Sequence, residues 1–130
     1  MTDDYWLYVS APGRENLVYD PDTWGKWLVF VHADENTHLL WEAVESAVLS
    51  GKLGPAAEIP EDYPCAGRSV PIVVYTADWR DREDVHRVLL ELRRLGFGGR
   101  LTYKTDAATL AGKYGTGAST YVSAPGSDDF

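Results

Sequence analysis

Apolar and polar residues follow patterns along the chain that predict a sheet and two main helices. Residues 24–32 are apolar on both sides of an extended chain, with Trp27 and Val29 facing one way and Leu28 and Phe30 the other. Such a strand is typical of the middle of a covered sheet. Strands are predicted at residues 5–10, 25–32, 70–76, 100–104 and 119–123, with a possible short edge strand at 56–59.

Helical spacing is clearest at residues 82–95, after a possible N-cap at Asp81 and before Gly96. Its apolar residues recur at i, i+3, i+4 and i+7, namely Val85, Val88, Leu89 and Leu92. A second helix is predicted at residues 37–50 and a short one at 107–113, capped by Thr105 or Asp106. The pattern therefore predicts an α+β domain with a mainly antiparallel sheet and two main helices on one of its faces.

Length and charge narrow the class of protein. A chain of 130 residues suits one domain, residues 1–130, and we expect an ordered core at about 5–123 with acidic terminal tails. The net charge of −8 argues against a DNA-binding protein, which needs a basic surface. No apolar run is long enough for a membrane span and the N-terminus is acidic, so we expect a cytoplasmic protein without membrane contact. The single cysteine, Cys65, allows no intramolecular disulfide.

Candidate chemistry rests on basic residues at strand ends and in loops. The five are Lys26, Arg68, Arg100, Lys104 and Lys113. They could be solvated charges at strand ends, or two or three of them could converge on one phosphate with charge-assisted hydrogen bonds. Lys104 and Arg100 lie on the same face of their strand. If the helices cover the opposite face of the sheet, these two residues line its open side together with Lys26.

The order of several short motifs resembles a known fold. The motifs are Gly25-Lys26-Trp27-Leu28, Leu40-Trp41-Glu42, Tyr75-Thr76 before Arg82-Glu83-Asp84-Val85, and Tyr103-Lys104 before Asp106-Ala107-Ala108-Thr109. This succession resembles the cap-binding translation initiation factor 4E, and more closely the basophilic-leukaemia-expressed-protein family of unknown function that shares the 4E-like fold. Some bacterial members of that family carry a phosphothreonine lyase label.

The resemblance implies a curved, mainly antiparallel sheet with the two main helices on its convex face and a binding site on its concave face. Lys26 occupies the place of a phosphate-contacting arginine, Arg68 stands near a second basic position, and Lys113 resembles a lysine of a late loop. Trp24 or Trp6 would stack on the ligand. Because Trp24 is not followed by the acid that a guanine clamp requires, a cap-like RNA ligand is disfavoured.

Three functions stay open from the sequence. The first is binding of a phosphate-bearing nucleotide or phosphopeptide. The second is a protein-interaction module without a small ligand. The third is a lyase with Lys104 as the base and His32 or His38 as the acid. Lys26 and His32 cannot form that pair, since six residues of strand separate them by about 20 Å. The spacing of the histidines predicts no metal site, and no cofactor is implied.

One six-residue string occurs twice, at 8–13 and at 121–126. Two copies are too few for a repeat architecture, so the string predicts two strands that end in the same turn.

Overall fold

The chain forms one antiparallel sheet of six strands with its two long helices packed on one face. The computed structural model describes residues 6–14, 17–65, 67–112 and 119–130. Its strands are β1 Trp6–Ser10, β2 Gly25–His32, β3 Ala56–Pro60, β4 Ser69–Thr76, β5 Leu101–Thr105 and β6 Tyr121–Ser123. Its α-helices are α1 Thr37–Leu49, α2 Arg82–Arg94 and α3 Asp106–Leu110, with a 3₁₀ turn at Tyr63–Cys65. The predicted α+β class with a curved antiparallel sheet is confirmed.

The strand order β1-β3-β4-β2-β5-β6 places β2 in the middle of the sheet. All eight residues of β2 pair with β4, from Gly25 opposite Thr76 to His32 opposite Ser69. On its other side β2 pairs with β5, and Lys26 lies directly opposite Lys104. The central position predicted for β2 is therefore observed, and the residues at its N-terminal end are in contact range of two neighbouring strands.

The strand at 56–59 differs from its predicted place. It was expected at an edge, but β3 lies inside the sheet, paired with β1 on one side and β4 on the other. The edge positions belong to β1 and β6. The physical reason is long-range: β1 adds to β3 through five residue pairs, a contact that no local pattern around residues 56–60 encodes.

The hydrophobic core lies between one face of the sheet and helices α1 and α2. Trp27 is fully buried there, and its indole Nε1–H donates to the Val85 carbonyl of α2 at 3.0 Å. Val44 of α1 joins the same core. On the opposite face Phe30 is 62% exposed. The two long helices thus cover only one face of β2. On the other face Lys26 is buried, and exposure begins at Phe30.

Residues 124–130, expected as a tail beyond the ordered core, pack against α2 and the sheet. The Phe130 ring lies 5.7 Å from Trp27 and 4.8 Å from Tyr121, measured between ring centroids. Burying an aromatic ring contributes at most about 1.5–3 kcal/mol, which offsets only part of the cost of ordering the segment at about 1–2 kcal/mol per residue.

The two copies of the repeated string form strands at the two opposite edges of the sheet. In β1, Val9 is buried and Tyr8 is 59% exposed on the open face. In β6 the arrangement is reversed, since Val122 is 39% exposed and Ser123 is fully buried. The prediction of two strands that end in the same turn is confirmed, with positive φ at both Gly13 and Gly126.

Candidate functional site

The face of the sheet opposite α1 and α2 carries a row of polar residues across its centre. Lys26 of β2 lies between Tyr75 of β4 and Lys104 of β5, each directly opposite it in register. Lys26 is 9% and Lys104 7% exposed, so both residues are largely removed from water, and the register places them side by side. Two adjacent buried cations require compensating acceptors, because an isolated buried charge is costly.

Asp106, the first residue of α3, supplies a carboxylate to this row. Lys26 Nζ donates to Asp106 Oδ1 at 2.9 Å, and Tyr19 Oη donates to Asp106 Oδ2 at 2.5 Å. Its position is fixed by the backbone, since Asp106 N donates to the Trp24 carbonyl and Thr105 caps α3. The carboxylate therefore joins the loop before β2, strand β2 itself and the start of α3.

Aromatic side chains enclose the row on the side of the β1–β2 loop. The Trp24 ring lies 5.0 Å from Tyr19 and 5.9 Å from Tyr75, and it is 7% exposed. Lys26 Nζ is 5.8 Å from the centre of the Tyr75 ring. We call these six residues the lysine cluster: Tyr19, Trp24, Lys26, Tyr75, Lys104 and Asp106.

The tyrosines of the cluster are held in their neutral form. Burial, and then a hydrogen bond from its hydroxyl to Glu58 at 2.6 Å, raise the pKa of Tyr75. Burial, and then the bond to Asp106, raise the pKa of Tyr19. Both hydroxyls thus act as hydrogen-bond donors to carboxylates over the ordinary pH range.

A cavity of about 160 Å³ lies beside the cluster, between β1 and the β1–β2 loop. It is lined by Tyr8, Ser10, Ala11, Arg14, Leu17, Trp24 and Pro55. Arg14 is exposed and so stands at the mouth, while Trp24 is buried and forms an inner wall. Tyr75 contacts both the Trp24 ring and the Lys26 ammonium, which links the cavity to the lysine cluster.

The structure brings some of the predicted site residues together and separates others. Trp24, Lys26 and Lys104 share one cluster. Arg68 precedes β4 at the end paired with His32, about 20 Å along the strand from Tyr75, and bonds Ser69 and Asp62 instead.

The two remaining predicted residues are Arg100 and Lys113. Arg100 is exposed and precedes β5, about 13 Å along the chain from Lys104. Lys113 and the predicted loop at 114–117 lie outside the described residues.

Several residues of this site were not singled out from the sequence. Tyr19 and Arg14 fall in a stretch that reads as a surface loop, and Asp106 was considered as a helix cap and as part of a family motif, without a role in the site. Tyr75 carried a usable signal, because pairing β2 with β4 at their apolar centres places Tyr75 opposite Lys26. The loop residues carry no comparable periodic signal.

The histidines lie away from Lys104. His32 is at the far end of β2, about 20 Å from Lys26. His38 belongs to α1, where its two ring nitrogens lie 3.0 Å from Tyr63 Oη and 2.8 Å from a Glu42 oxygen. Neither histidine is thus placed as the acid partner of Lys104. Within the described ranges, no group of three or more His, Cys, Asp or Glu side chains is placed to hold a metal ion.

The environment of Lys104 predicts how the free energy of unfolding changes with pH. Burial, and then the neighbouring Lys26 ammonium, lower the pKa of Lys104 below 10.5. Between that lowered pKa and about 10.5 the unfolded chain binds more protons than the folded one, so the free energy of unfolding rises with pH. We expect urea denaturation between about pH 7 and pH 10 to show a more positive slope for the natural chain than for Lys104→Met. Equal slopes would contradict the lowered pKa, and the tyrosines, present in both proteins, cancel in the comparison.

In the part of the chain that is described, no helix has the length and apolar character that crossing a membrane requires.

Solved structures similar to this chain are translation initiation factors. The eIF4E-3 of Ascaris suum with m7G cap matches at a TM-score of 0.61 and 16% identity, covering 94% of this chain and 70% of that one. A schistosome eIF4E complexed with m7GpppA and 4E-BP matches at a TM-score of 0.64 and 17% identity, covering 95% of this chain and 72% of that one. At these identities the similarity shows the fold, and the predicted 4E-like architecture is confirmed.

A protein-family model matches residues 22–111. This range contains β2, α1, β3, β4, α2, β5 and α3, and thus most of the lysine cluster. The family is described as Basophilic leukemia-expressed protein Bles03. The resemblance inferred from the sequence is therefore confirmed, and the chain belongs to the Bles03 family.

Proposed function

We propose that this chain is a ligand-binding domain whose site is the cavity beside the lysine cluster, on the open face of the sheet. The ligand we propose is a phosphate-bearing nucleotide or a similar molecule that joins a flat ring to an anionic group. The observation that carries the proposal is the pairing of an aromatic inner wall, Trp24, with an exposed guanidinium, Arg14, at the mouth of one cavity.

The size of the cavity limits what can enter it. At about 160 Å³ it is smaller than the roughly 300–1,000 Å³ of pockets that enclose drug-sized ligands. It therefore fits one ring and leaves the phosphate at the mouth, where Arg14 can bind it in the bidentate manner that guanidinium groups favour. Trp24 already contacts two tyrosines, so it would offer one edge to the ring, and Tyr8 would supply the other aromatic surface.

An anionic ligand would meet one exposed cation, Arg14, at this cavity. The two lysines of the cluster stand beside two carboxylates, Asp106 and the Glu58 that accepts a hydrogen bond from Tyr75. Lys26 is engaged with Asp106, so we assign the phosphate contact to Arg14 and no direct contact to the lysines. The similar initiation factors were solved with m7G-containing caps, which makes guanine nucleotides the first class to test.

Titration with nucleotides tests this proposal. We expect GMP, AMP or m7GTP to quench tryptophan fluorescence saturably, and Arg14→Ala to weaken binding by about tenfold, the loss typical of one charged contact. Arg68→Ala is the matched control, because Arg68 is an exposed arginine at the other end of the strands. Equal affinities for the two variants, or no binding by the natural chain, would reject the proposed site.

A peptide assay and the outcome of the titrations separate the two other functions. A phosphothreonine peptide that loses phosphoric acid when mixed with the chain would support the lyase, although neither His32 nor His38 stands beside Lys104 to protonate the leaving phosphate. Failure of every small ligand would favour the protein-interaction module.

A further inference from the structure

The segment Ser127–Phe130 lies along α2 in a manner that resembles a bound peptide. Three basic residues on one side of α2 contact main-chain oxygens of this segment. Arg93 Nε donates to the Ser127 carbonyl at 2.8 Å, and His86 Nε2 lies 2.7 Å from the Asp128 carbonyl. Arg82 Nη2 donates to the main-chain oxygen of Phe130 at 3.4 Å.

The Phe130 side chain is the anchor of this segment. Its ring contacts Trp27, Tyr121 and His86, at centroid distances of 5.7, 4.8 and 5.8 Å. The Arg82 guanidinium lies 4.5 Å from the ring centre, within the range of a cation–π interaction. An aromatic anchor in a pocket with main-chain contacts beside it is the arrangement by which proteins bind short peptides.

The acidic side chains of the segment contribute mainly through long-range charge. The Asp129 carboxylate is 94% exposed and 4.0 Å from His86, so this ion pair contributes little by itself. The two adjacent aspartates nevertheless belong to a segment that contacts Arg82, His86 and Arg93 of α2, with Glu83 as the opposing charge beside Asp129. A cavity of about 260 Å³ remains next to Asp129 and Phe130.

We propose that this side of α2 is a docking site for partner proteins that present a short acidic segment with an aromatic residue, and that Ser127–Phe130 occupies the site in the absence of a partner. The side chains of α2 contact the main chain of the segment and one aromatic ring, and any segment of that chemistry can supply both. The site lies on the helix-covered side of the sheet and does not depend on the cavity next to Trp24. The tethered segment competes at an effective concentration of about a millimolar, so a partner binds only when it outcompetes the segment or when the segment is released.

A fluorescent peptide of sequence Ala-Pro-Gly-Ser-Asp-Asp-Phe, copied from residues 124–130, tests the proposal. We expect it to bind the variant Phe130→Ala at least tenfold more tightly than the natural chain, because the competing ring is gone. A peptide ending in alanine should bind that variant at least tenfold more weakly, because the buried ring supplies most of the affinity. Equal binding of the two peptides would overturn the proposal.

A matched pair of arginines shows whether the peptide sits on α2. Combined with Phe130→Ala, the change Arg82→Ala should weaken peptide binding severalfold. Arg80→Ala should leave it unchanged, because Arg80 precedes α2 and pairs with Asp78. Equal effects of the two changes would reject the proposed site.

If Phe130→Ala fails to fold, nuclear magnetic resonance of the natural chain tests whether the peptide displaces the tethered segment. The peptide at about 10 mM should displace the tethered segment and move the Phe130 amide signal toward its position in an unfolded chain. No change in that signal would overturn the proposal.

Discussion

Replacing Trp27 with alanine is expected to lower the free energy of unfolding by about 4 kcal/mol, the range for deleting a buried tryptophan. Trp27 is fully buried in β2, contacts Tyr103 at 5.3 Å between ring centroids, and packs against Phe130. Its indole N–H also donates to Val85, so the change removes one link between the sheet and α2. Since a domain of this size has about 5–15 kcal/mol of stability in total, urea denaturation should show a large drop in the midpoint.

Phe30→Ala is the control for Trp27→Ala, because both residues are large aromatics of the same strand. Phe30 is 62% exposed on the open face, so we expect a change within about 0.5 kcal/mol. Losses of similar size for the two variants would contradict a sheet that is covered by helices on one face only.

Asp106→Ala is expected to cost about 3–5 kcal/mol, because it leaves the Lys26 ammonium buried without its carboxylate. The side chains of Lys26 and Asp106 are only 11% and 5% exposed, so solvent screens the pair weakly. The change also removes the acceptor of the Tyr19 hydroxyl. Thermal or urea denaturation at neutral pH measures the loss.

The double variant Lys26→Met, Asp106→Ala separates the ion pair from the other contacts of Asp106. Once the lysine is also removed, no unpaired charge remains from this pair, and we expect the double variant to be more stable than Asp106→Ala alone. A coupling free energy of about 1–3 kcal/mol between the two positions would agree with a buried pair. Additive losses would show that Asp106 acts through Tyr19 or the start of α3.

The sequence predicted those parts of the fold that depend on local periodicity. The i, i+3, i+4 spacing of Val85, Val88 and Leu89 located α2, and the apolar run of β2 located the central strand. The place of β3 inside the sheet could not be predicted, since it depends on the pairing of β1 with residues 56–60. The packing of Phe130 was missed because a single aromatic residue in an acidic segment has no periodicity.

For the candidate site, the structure brings Lys26 and Lys104 together and leaves Arg100 and Arg68 apart from them. Lys26 and Lys104 were assigned to one face of the sheet from alternation, and they lie directly opposite each other. Arg68 was grouped with them through its loop, but antiparallel pairing of β2 and β4 puts the residue before β4 next to the end of β2. Asp106 gave no signal because its role depends on where α3 begins relative to Lys26.

The two copies of Tyr-Val-Ser-Ala-Pro-Gly show how little a short strand determines its own orientation. One sequence buries its valine at one edge and exposes it at the other, because β3 sets the pleat of β1 while β5 sets that of β6. Replacing this valine with threonine would therefore have different effects in the two copies. At Val9 it would place a hydroxyl in the core, and at Val122 it would change a half-exposed residue of an edge strand. In this chain, substitution data from one copy of the string cannot be transferred to the other by sequence alone.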